Sequence, residues 1–387
     1  MFHLDLIRQF QNLKTPFFYY DLNTLNQTIE VIREHGVSRG YSIHFALKAN
    51  NNDRILKRML DAGFGADCVS GGEIEKSIEA GFSPDQIAFA GVGKSDEEIL
   101  TGLKYNLFSF NCESVQELEV LNHFAGQQNK NVRIALRVNP NVEAKTHKYI
   151  TTGLQDNKFG IPSENLPGVL DKIKEYPHLN LTGLHFHIGS QIMNLDVFRE
   201  LSVKINQLQS LFDEKENQLR HINVGGGLGI DYAEPDRAAI PDFQNYFRLF
   251  EEHLDLRDYQ ELHFELGRSV VGQCGSLITK VLFTKEGRNT NFAVVDAGMT
   301  ELIRPALYQA RHTVEALTST RPEKQYDVVG PICETSDTFR TGILLPEVER
   351  GDLLAIRSCG AYGQVMSSDY NLRERAKAYY TDDFDLE

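Results

Sequence analysis

Eight short runs rich in β-formers punctuate the first two-thirds of the chain: Ser42–Ala46, Gly65–Val69, Ile87–Ala90, Leu107–Phe110, Val132–Val138, Leu181–His187, His221–Val224 and Leu262–Glu265. Each is apolar through most of its length, as strands buried on both faces are. The segments between them carry helix signals. Ser70-Gly71-Gly72-Glu73 and Ser95-Asp96-Glu97-Glu98 both read S-x-x-E, the capping-box pattern. Ile99, Leu100 and Leu103 follow the second at helical spacing. Eight strand–helix alternations predict a parallel sheet, and eight is the number that closes a (β/α)8 barrel. After Gly267 the helical pattern fades. Runs at Leu277–Thr284, Asn291–Val295, Asp327–Val329 and Leu353–Ile356 are separated by turn signals such as Glu286-Gly287 and Arg350-Gly351-Asp352. The expected fold is therefore α/β plus all-β. A barrel spans 22–266, and a mostly antiparallel β domain spans 267–387. Residues 1–21 are free to join that domain through the run Phe17–Tyr20.

The length of 387 residues suits two to three domains, at about 150 residues each. Hydrophobic residues at 41% and charged residues at 24% allow a full core without disulfides or a structural metal. The net charge of −14 counts against nucleic acid or an anionic membrane as partner. No apolar run reaches the ~18 residues of a transmembrane helix. Met1-Phe2-His3-Leu4-Asp5 lacks the basic-then-apolar pattern of a signal peptide. The five cysteines, Cys68, Cys112, Cys274, Cys333 and Cys359, are odd in number, and no pair has CxxC spacing. That suits reduced thiols in the cytoplasm and gives no zinc site.

A barrel of this kind places its chemistry at the C-terminal ends of its strands. Those ends carry Lys48-Ala49-Asn50, Asp67 leading into Ser70, Gly91, Asn111, Arg137-Val138-Asn139-Pro140, His185 through Ser190, Gly225 through Gly229, and Glu265-Leu266-Gly267-Arg268. Lys48 is either a snorkelling surface lysine or an amine desolvated at the mouth, with a lowered pKa and nucleophilic toward an aldehyde. The glycine run suits backbone N–H groups cradling an anion, and equally a tight turn. Its G-x-G-x-G spacing does not fit the dinucleotide fingerprint. His185 and His187 share one strand face at metal-ligand spacing, but no metal set follows; one is expected at the mouth and the other held structurally. Glu265 is either an ion-pair partner, for instance of Arg268, or an acceptor for a protonated pyridine nitrogen. In the second domain Arg304 and Tyr308 either line one face or are an ordinary surface arginine and core tyrosine. Cysteine is most often a buried apolar residue, but the polar neighbours of Cys333 and the Gly330-Pro331 turn raise the odds of a function.

Taken together these residues resemble the pyridoxal-phosphate-dependent decarboxylases of the alanine-racemase-like fold (fold type III). The similarity runs from Pro16 to Asn371. It is carried by Phe45 through Asn50, His147 through Gly153 with Lys158-Phe159-Gly160, His185 through Gln191, Asn223 through Gly229, Asp296 through Tyr308, and Cys333 through Asp337. The His147 to Gly160 segment points to the branch acting on diaminopimelate rather than ornithine. Leu266 stands where the family has a proline, and the family's proline and acid after the pair Tyr370-Asn371 are absent.

The resemblance implies that Lys48 forms the internal aldimine with pyridoxal 5'-phosphate, His187 stacks on its ring and Glu265 pairs with its nitrogen. Asp67, Ser190, Gly225, Gly226, Gly227, Gly267, Arg268 and Tyr362 are implied to line the cofactor site. Arg268, Arg304, Tyr308, Glu334 and Tyr362 are implied to hold the substrate. Cys333 is implied to donate the proton or assist it, reaching in from the second subunit of a homodimer with shared active sites. The activity implied is decarboxylation of meso-2,6-diaminopimelate to L-lysine. Diaminopimelate has a second amino-acid end, and Arg304 with Glu334 offers one charge for each of its groups. The alternatives are a decarboxylase of another basic amino acid or polyamine precursor, a racemase, or a non-catalytic pyridoxal-phosphate-binding homologue; a metal hydrolase would require zinc.

Overall fold

The computed structural model describes residues 2–142, 158–214 and 218–385. The chain divides into two compact units. One comprises Ile29–Gly229 and Asp242–Gly267; the other comprises Met1–Thr28, Ile230–Pro241 and Arg268–Glu387. Sequence patterning assigned Ile230–Pro241 to the barrel. Its hydrogen bonds put it with the β unit instead: Thr313 Oγ1 donates to the Tyr232 carbonyl at 2.9 Å and Gln273 Nε2 to the Asp231 carbonyl at 2.8 Å.

The first unit is a closed parallel barrel of eight strands: Ser42–Ala46, Gly65–Cys68, Ile87–Phe89, Ser109–Cys112, Val132–Asn139, Leu179–His185, His221–Asn223 and Glu261–Leu266. Strand eight pairs with strand one, setting Glu265 opposite His44 and closing the sheet. The fourth strand lies two residues later than the apolar run Leu107–Phe110 suggests. The sixth stops at His185, because Phe186 and His187 run against a glycine turn; a Cβ on Gly225 would lie 2.2 Å from the Phe186 carbonyl oxygen. The capping box at Ser95 and Glu98 is complete. At Ser70 only half of it forms, since Glu73 accepts instead from the Val69 N–H at 2.7 Å.

Three histidines fill the N-terminal half of the barrel. His44 Nε2 meets His263 Nδ1 at 2.9 Å, and Phe108 stacks on His263 with ring centroids 4.8 Å apart and lies 4.9 Å from the ring of His221. Burial first, then the neighbouring imidazoles, holds His44 down to about 4 and His221 well below the ordinary value. Unfolded histidines take up a proton near pH ~6.5, whereas these stay neutral in the native state until far lower pH. Their stabilisation is present above pH ~6.5 and is lost as pH falls toward the native values. We expect the urea midpoint to fall between pH 6.5 and 5, with each such group adding up to about 1.4 kcal/mol per pH unit. A flat midpoint over that range would show that the native barrel takes the protons.

The second unit is an eight-stranded sheet. Val314–Ala316, Leu353–Ile356, Gly275–Glu286, Asn291–Val295, Glu323–Val329 and Thr338–Pro346 follow one another, and Phe17–Tyr20 pairs with both Gly275–Glu286 and Lys377–Tyr380. Pairing is antiparallel except between Phe17–Tyr20 and Lys377–Tyr380 and between Asn291–Val295 and Glu323–Val329. An N-terminal helix, Leu4–Phe10, packs Leu6 and Phe10 against Phe17, Tyr19 and Ile278. Among the described residues no helix is long and apolar enough to cross a membrane.

Candidate active site

Lys48 sits in the single turn Leu47–Ala49 that follows strand one directly. Its Nζ lies 2.7 Å from Asp67 Oδ2; Asp67 is fully buried, and the Lys48 side chain is 33% exposed. The strand register makes this pair, because Ala46 stands opposite Asp67. The amine is therefore paired with a buried acidic side chain, not enclosed by apolar groups alone. Burial and the charge of Glu265 raise the Asp67 pKa, and Lys48 opposes them. Asp67 Oδ1 is buried and has no hydrogen-bond partner among the described residues.

Glu265 is a buried carboxylate, at 5% exposure, with three side-chain donors. Asn111 Nδ2 and Asn223 Nδ2 donate to its Oε1 at 3.1 and 2.8 Å, and His185 Nε2 donates to Oε2 at 2.9 Å. Burial alone would raise its pKa. His185, by charge and hydrogen bond, and Lys48, by charge, outweigh burial and hold the carboxyl well below the usual range, so Glu265 is a fixed anion. Three strands far apart in sequence supply those donors, and barrel closure brings them together.

His187 lies just past strand six, and its Nδ1 accepts from the Gly226 N–H at 3.3 Å. Burial, then the cations Arg137 and Lys48, keeps the ring neutral by pushing its pKa far down. His185 and His187 thus have separate tasks, one on Glu265 and one on the glycine turn. Ser190 is half-buried in the same loop, which is pinned to the glycine run by Ile192 N–H to the Gly227 carbonyl at 2.9 Å. The glycines have a packing reason of their own: a Cβ on Gly226 would lie 2.0 Å from the Glu265 carbonyl oxygen, and Gly227 has φ +112°. Gly267 is buried at the end of this unit. Beside strand five, Glu113 pairs with Arg137 at 2.7 Å and accepts from the Gly160 N–H at 3.0 Å, and Arg137 lies over the Phe159 ring. His147 through Gly153 lie outside the described residues.

In the β unit, Arg268, Arg304 and Tyr362 form a second group. Arg268 Nη1 donates to the Tyr232 hydroxyl at 2.5 Å, and its guanidinium lies 4.9 Å from the Tyr362 ring centroid. Arg304 Nη1 donates to the same hydroxyl at 2.9 Å and to His312 Nε2 at 2.9 Å. Tyr308 is half-buried and ends the short helix Arg304–Tyr308. Cys333 is an exposed free thiol, whereas the other four cysteines are buried. Glu334 is exposed and accepts from the Tyr370 hydroxyl at 3.0 Å. Sequence reasoning placed Asn111 at a strand end without a task, expected one of His185 and His187 to be held structurally, and named Asn223 only within the resembling segment Asn223–Gly229. It missed Tyr232 and His312, whose surroundings carry no local motif.

The barrel residues fit pyridoxal phosphate by the chemistry of their donor set. Lys48 supplies a primary amine, Glu265 an anionic carboxylate for a protonated ring nitrogen, and His187 a neutral aromatic face. Residues 25–272 match the family model for the pyridoxal-dependent decarboxylase, pyridoxal binding domain. The chain is 53% identical to the diaminopimelate decarboxylase of Bacteroides thetaiotaomicron over 97% of its own length and 98% of that protein's. The chain belongs to the diaminopimelate decarboxylase family. It is also 41% identical to the Helicobacter pylori enzyme, over 95% of this chain and 90% of that one. The crystal structure of a Helicobacter pylori diaminopimelate decarboxylase complexed with L-lysine superposes with a TM-score of 0.92 at 39% identity, covering 97% of this chain and 94% of that one. Pyridoxal phosphate is accordingly the cofactor, and the fold is that of the fold-type III decarboxylases.

Proposed function

We propose that the protein decarboxylates meso-2,6-diaminopimelate at its D-configured centre, releasing carbon dioxide and L-lysine. The observation that carries this reading is the near-full-length identity with diaminopimelate decarboxylases. The bound cofactor supplies the electron sink for the pair left on the α-carbon. Lys48 holds the cofactor covalently through its amine. Glu265, fixed as an anion by Asn111, Asn223 and His185, keeps the ring nitrogen protonated. His187, a neutral imidazole, would offer its aromatic face to the ring. Asp67, Ser190, Gly225 to Gly227, Gly267, Arg268 and Tyr362 line the cofactor site. Arg304 takes the far carboxylate, Glu334 takes the far ammonium, and Tyr308 packs beside them. Cys333 delivers the proton or assists its delivery. Exposure of Cys333 and Glu334 on the single chain supports their service in a partner's site, hence a homodimer. Free thiols throughout support a reducing, cytoplasmic setting.

The test is purified protein with pyridoxal phosphate against diaminopimelate, L-lysine, L-ornithine and L-arginine, scoring carbon dioxide and the amine product. Diaminopimelate should turn over fastest; faster ornithine or lysine overturns the substrate. For the shared site, Lys48→Ala and Glu334→Ala chains are mixed and exchanged. A mixed dimer puts both lesions in one site and leaves the other intact. About half the dimers form mixed and about a quarter of all sites recover. Verified heterodimers without recovered activity would mean that each chain builds its own site.

A further inference from the structure

Two buried arginines of the β unit are treated in opposite ways. Arg357 is neutralised by two carboxylates, Asp236 at 2.7 Å and Glu315 at 2.8 Å. Arg304 is 5% exposed, and among the described residues no carboxylate pairs with it. Its Nη1 is held by two neutral acceptors, the Tyr232 hydroxyl and His312 Nε2, both at 2.9 Å. Its guanidinium also lies 4.9 Å from the Tyr232 ring centroid. Its Nε is buried and has no hydrogen-bond partner among the described residues. A buried cation without a counter-ion is costly unless something else supplies the charge.

The two acceptors are themselves locked. His312 Nδ1 meets the Arg357 carbonyl at 2.8 Å. A carbonyl only accepts, so Nδ1 carries the hydrogen and Nε2 presents a lone pair to Arg304. Burial, and then the charge of Arg304, holds His312 down to about 3, so the ring stays neutral. The Tyr232 backbone is tied by Thr313 Oγ1 at 2.9 Å, and the rings of Tyr232 and His312 meet edge to face at 4.9 Å.

We propose that Tyr232 and His312 are positioning residues that hold Arg304 oriented but uncompensated, so that its guanidinium selects substrates with a second carboxylate. This rests on the assignment of Arg304 to the far carboxylate of diaminopimelate. An acidic holder would orient Arg304 equally well but would cancel the charge the substrate must meet. The holders therefore set specificity without touching substrate.

The test reads binding separately from turnover. L-lysine retains the far carboxylate and 1,5-diaminopentane lacks it. Dissociation constants of both are measured by spectral titration of the holoenzyme. His312→Asn keeps a donor near Nδ1 for the Arg357 carbonyl but removes the acceptor for Arg304. His312→Gln returns an acceptor near Nε2. Wild type should bind L-lysine more tightly than the diamine. His312→Asn should weaken L-lysine about tenfold, roughly 1.4 kcal/mol, and leave the diamine unchanged. His312→Gln should restore L-lysine to within about threefold, under 1 kcal/mol. Tyr232→Phe, which keeps the ring and removes the hydroxyl, should reproduce the selective loss and decides the matter if His312→Asn does not fold. Equal weakening of both ligands, or no change in either, overturns the proposal. Wild type that releases no carbon dioxide from diaminopimelate overturns the function reading instead.

Discussion

Lys48→Ala is expected to lower kcat for diaminopimelate on the order of 1,000-fold or more, about 4 kcal/mol of transition-state stabilisation. Its amine is the group proposed to hold the cofactor, and it stands at the end of strand one, 2.7 Å from the buried Asp67. Asp67 Oδ2 accepts from that amine at 2.7 Å and so orients it. Borohydride reduction of the wild-type holoenzyme should attach the cofactor to one peptide, the one containing Lys48. The alanine variant should show no such label and no absorbance from a covalent adduct. Label on another lysine, or wild-type turnover in the alanine variant, would refute the assignment. The variant also leaves Asp67 buried beside Glu265 without its ammonium. Its carboxyl should then take up a proton, which spares the fold.

The second large effect is expected at Glu265. Glu265→Gln keeps an oxygen to accept from Asn111 and Asn223. It also offers an amide N–H toward His185 Nε2, provided the imidazole shifts its hydrogen to Nδ1, which has no partner among the described residues. Shape and hydrogen bonds survive while the negative charge is lost. We expect kcat to fall on the order of 100- to 1,000-fold, about 2.7–4 kcal/mol, as when other preorganised electrostatic groups are removed. The Lys48 label should remain, which separates loss of the sink from loss of the cofactor. Glu265→Asp, which keeps the anion but shortens the reach, should retain more activity than the glutamine variant. Equal activity in wild type and glutamine variant would show that the anion does not act on the ring.

Much of this was legible in the chain. Mostly apolar runs, the Ser95 capping box and the change of rhythm after Gly267 report on neighbours within a few positions, and local backbone preferences follow such neighbours. Lys48, Asp67, His187 and Glu265 stood out as candidates once the strand ends were located, because a barrel aims one end of every strand at the same mouth. Less legible were short strands such as Val314–Ala316 and Lys377–Tyr380. Each is too brief to show a period, and its pairing with a distant strand decides its state.

The ionic and hydrogen-bonding state of the site residues belongs to the tertiary structure. The pattern of residues suggested an amine desolvated at Lys48; the register between strands one and two gave it Asp67 instead. His185 and Asn223 reach Glu265 from the two strands that precede it in the sheet, and Asn111 reaches it across the closed barrel from strand four. The segment Ile230–Pro241 leaves the barrel sequence to join the β unit and brings Tyr232 to Arg268 and Arg304. Local sequence specifies which elements form, since backbone propensity and periodicity act over a few residues. Charge, protonation and orientation depend on which groups stand within a few ångströms, and here those groups lie tens to hundreds of positions apart along the chain.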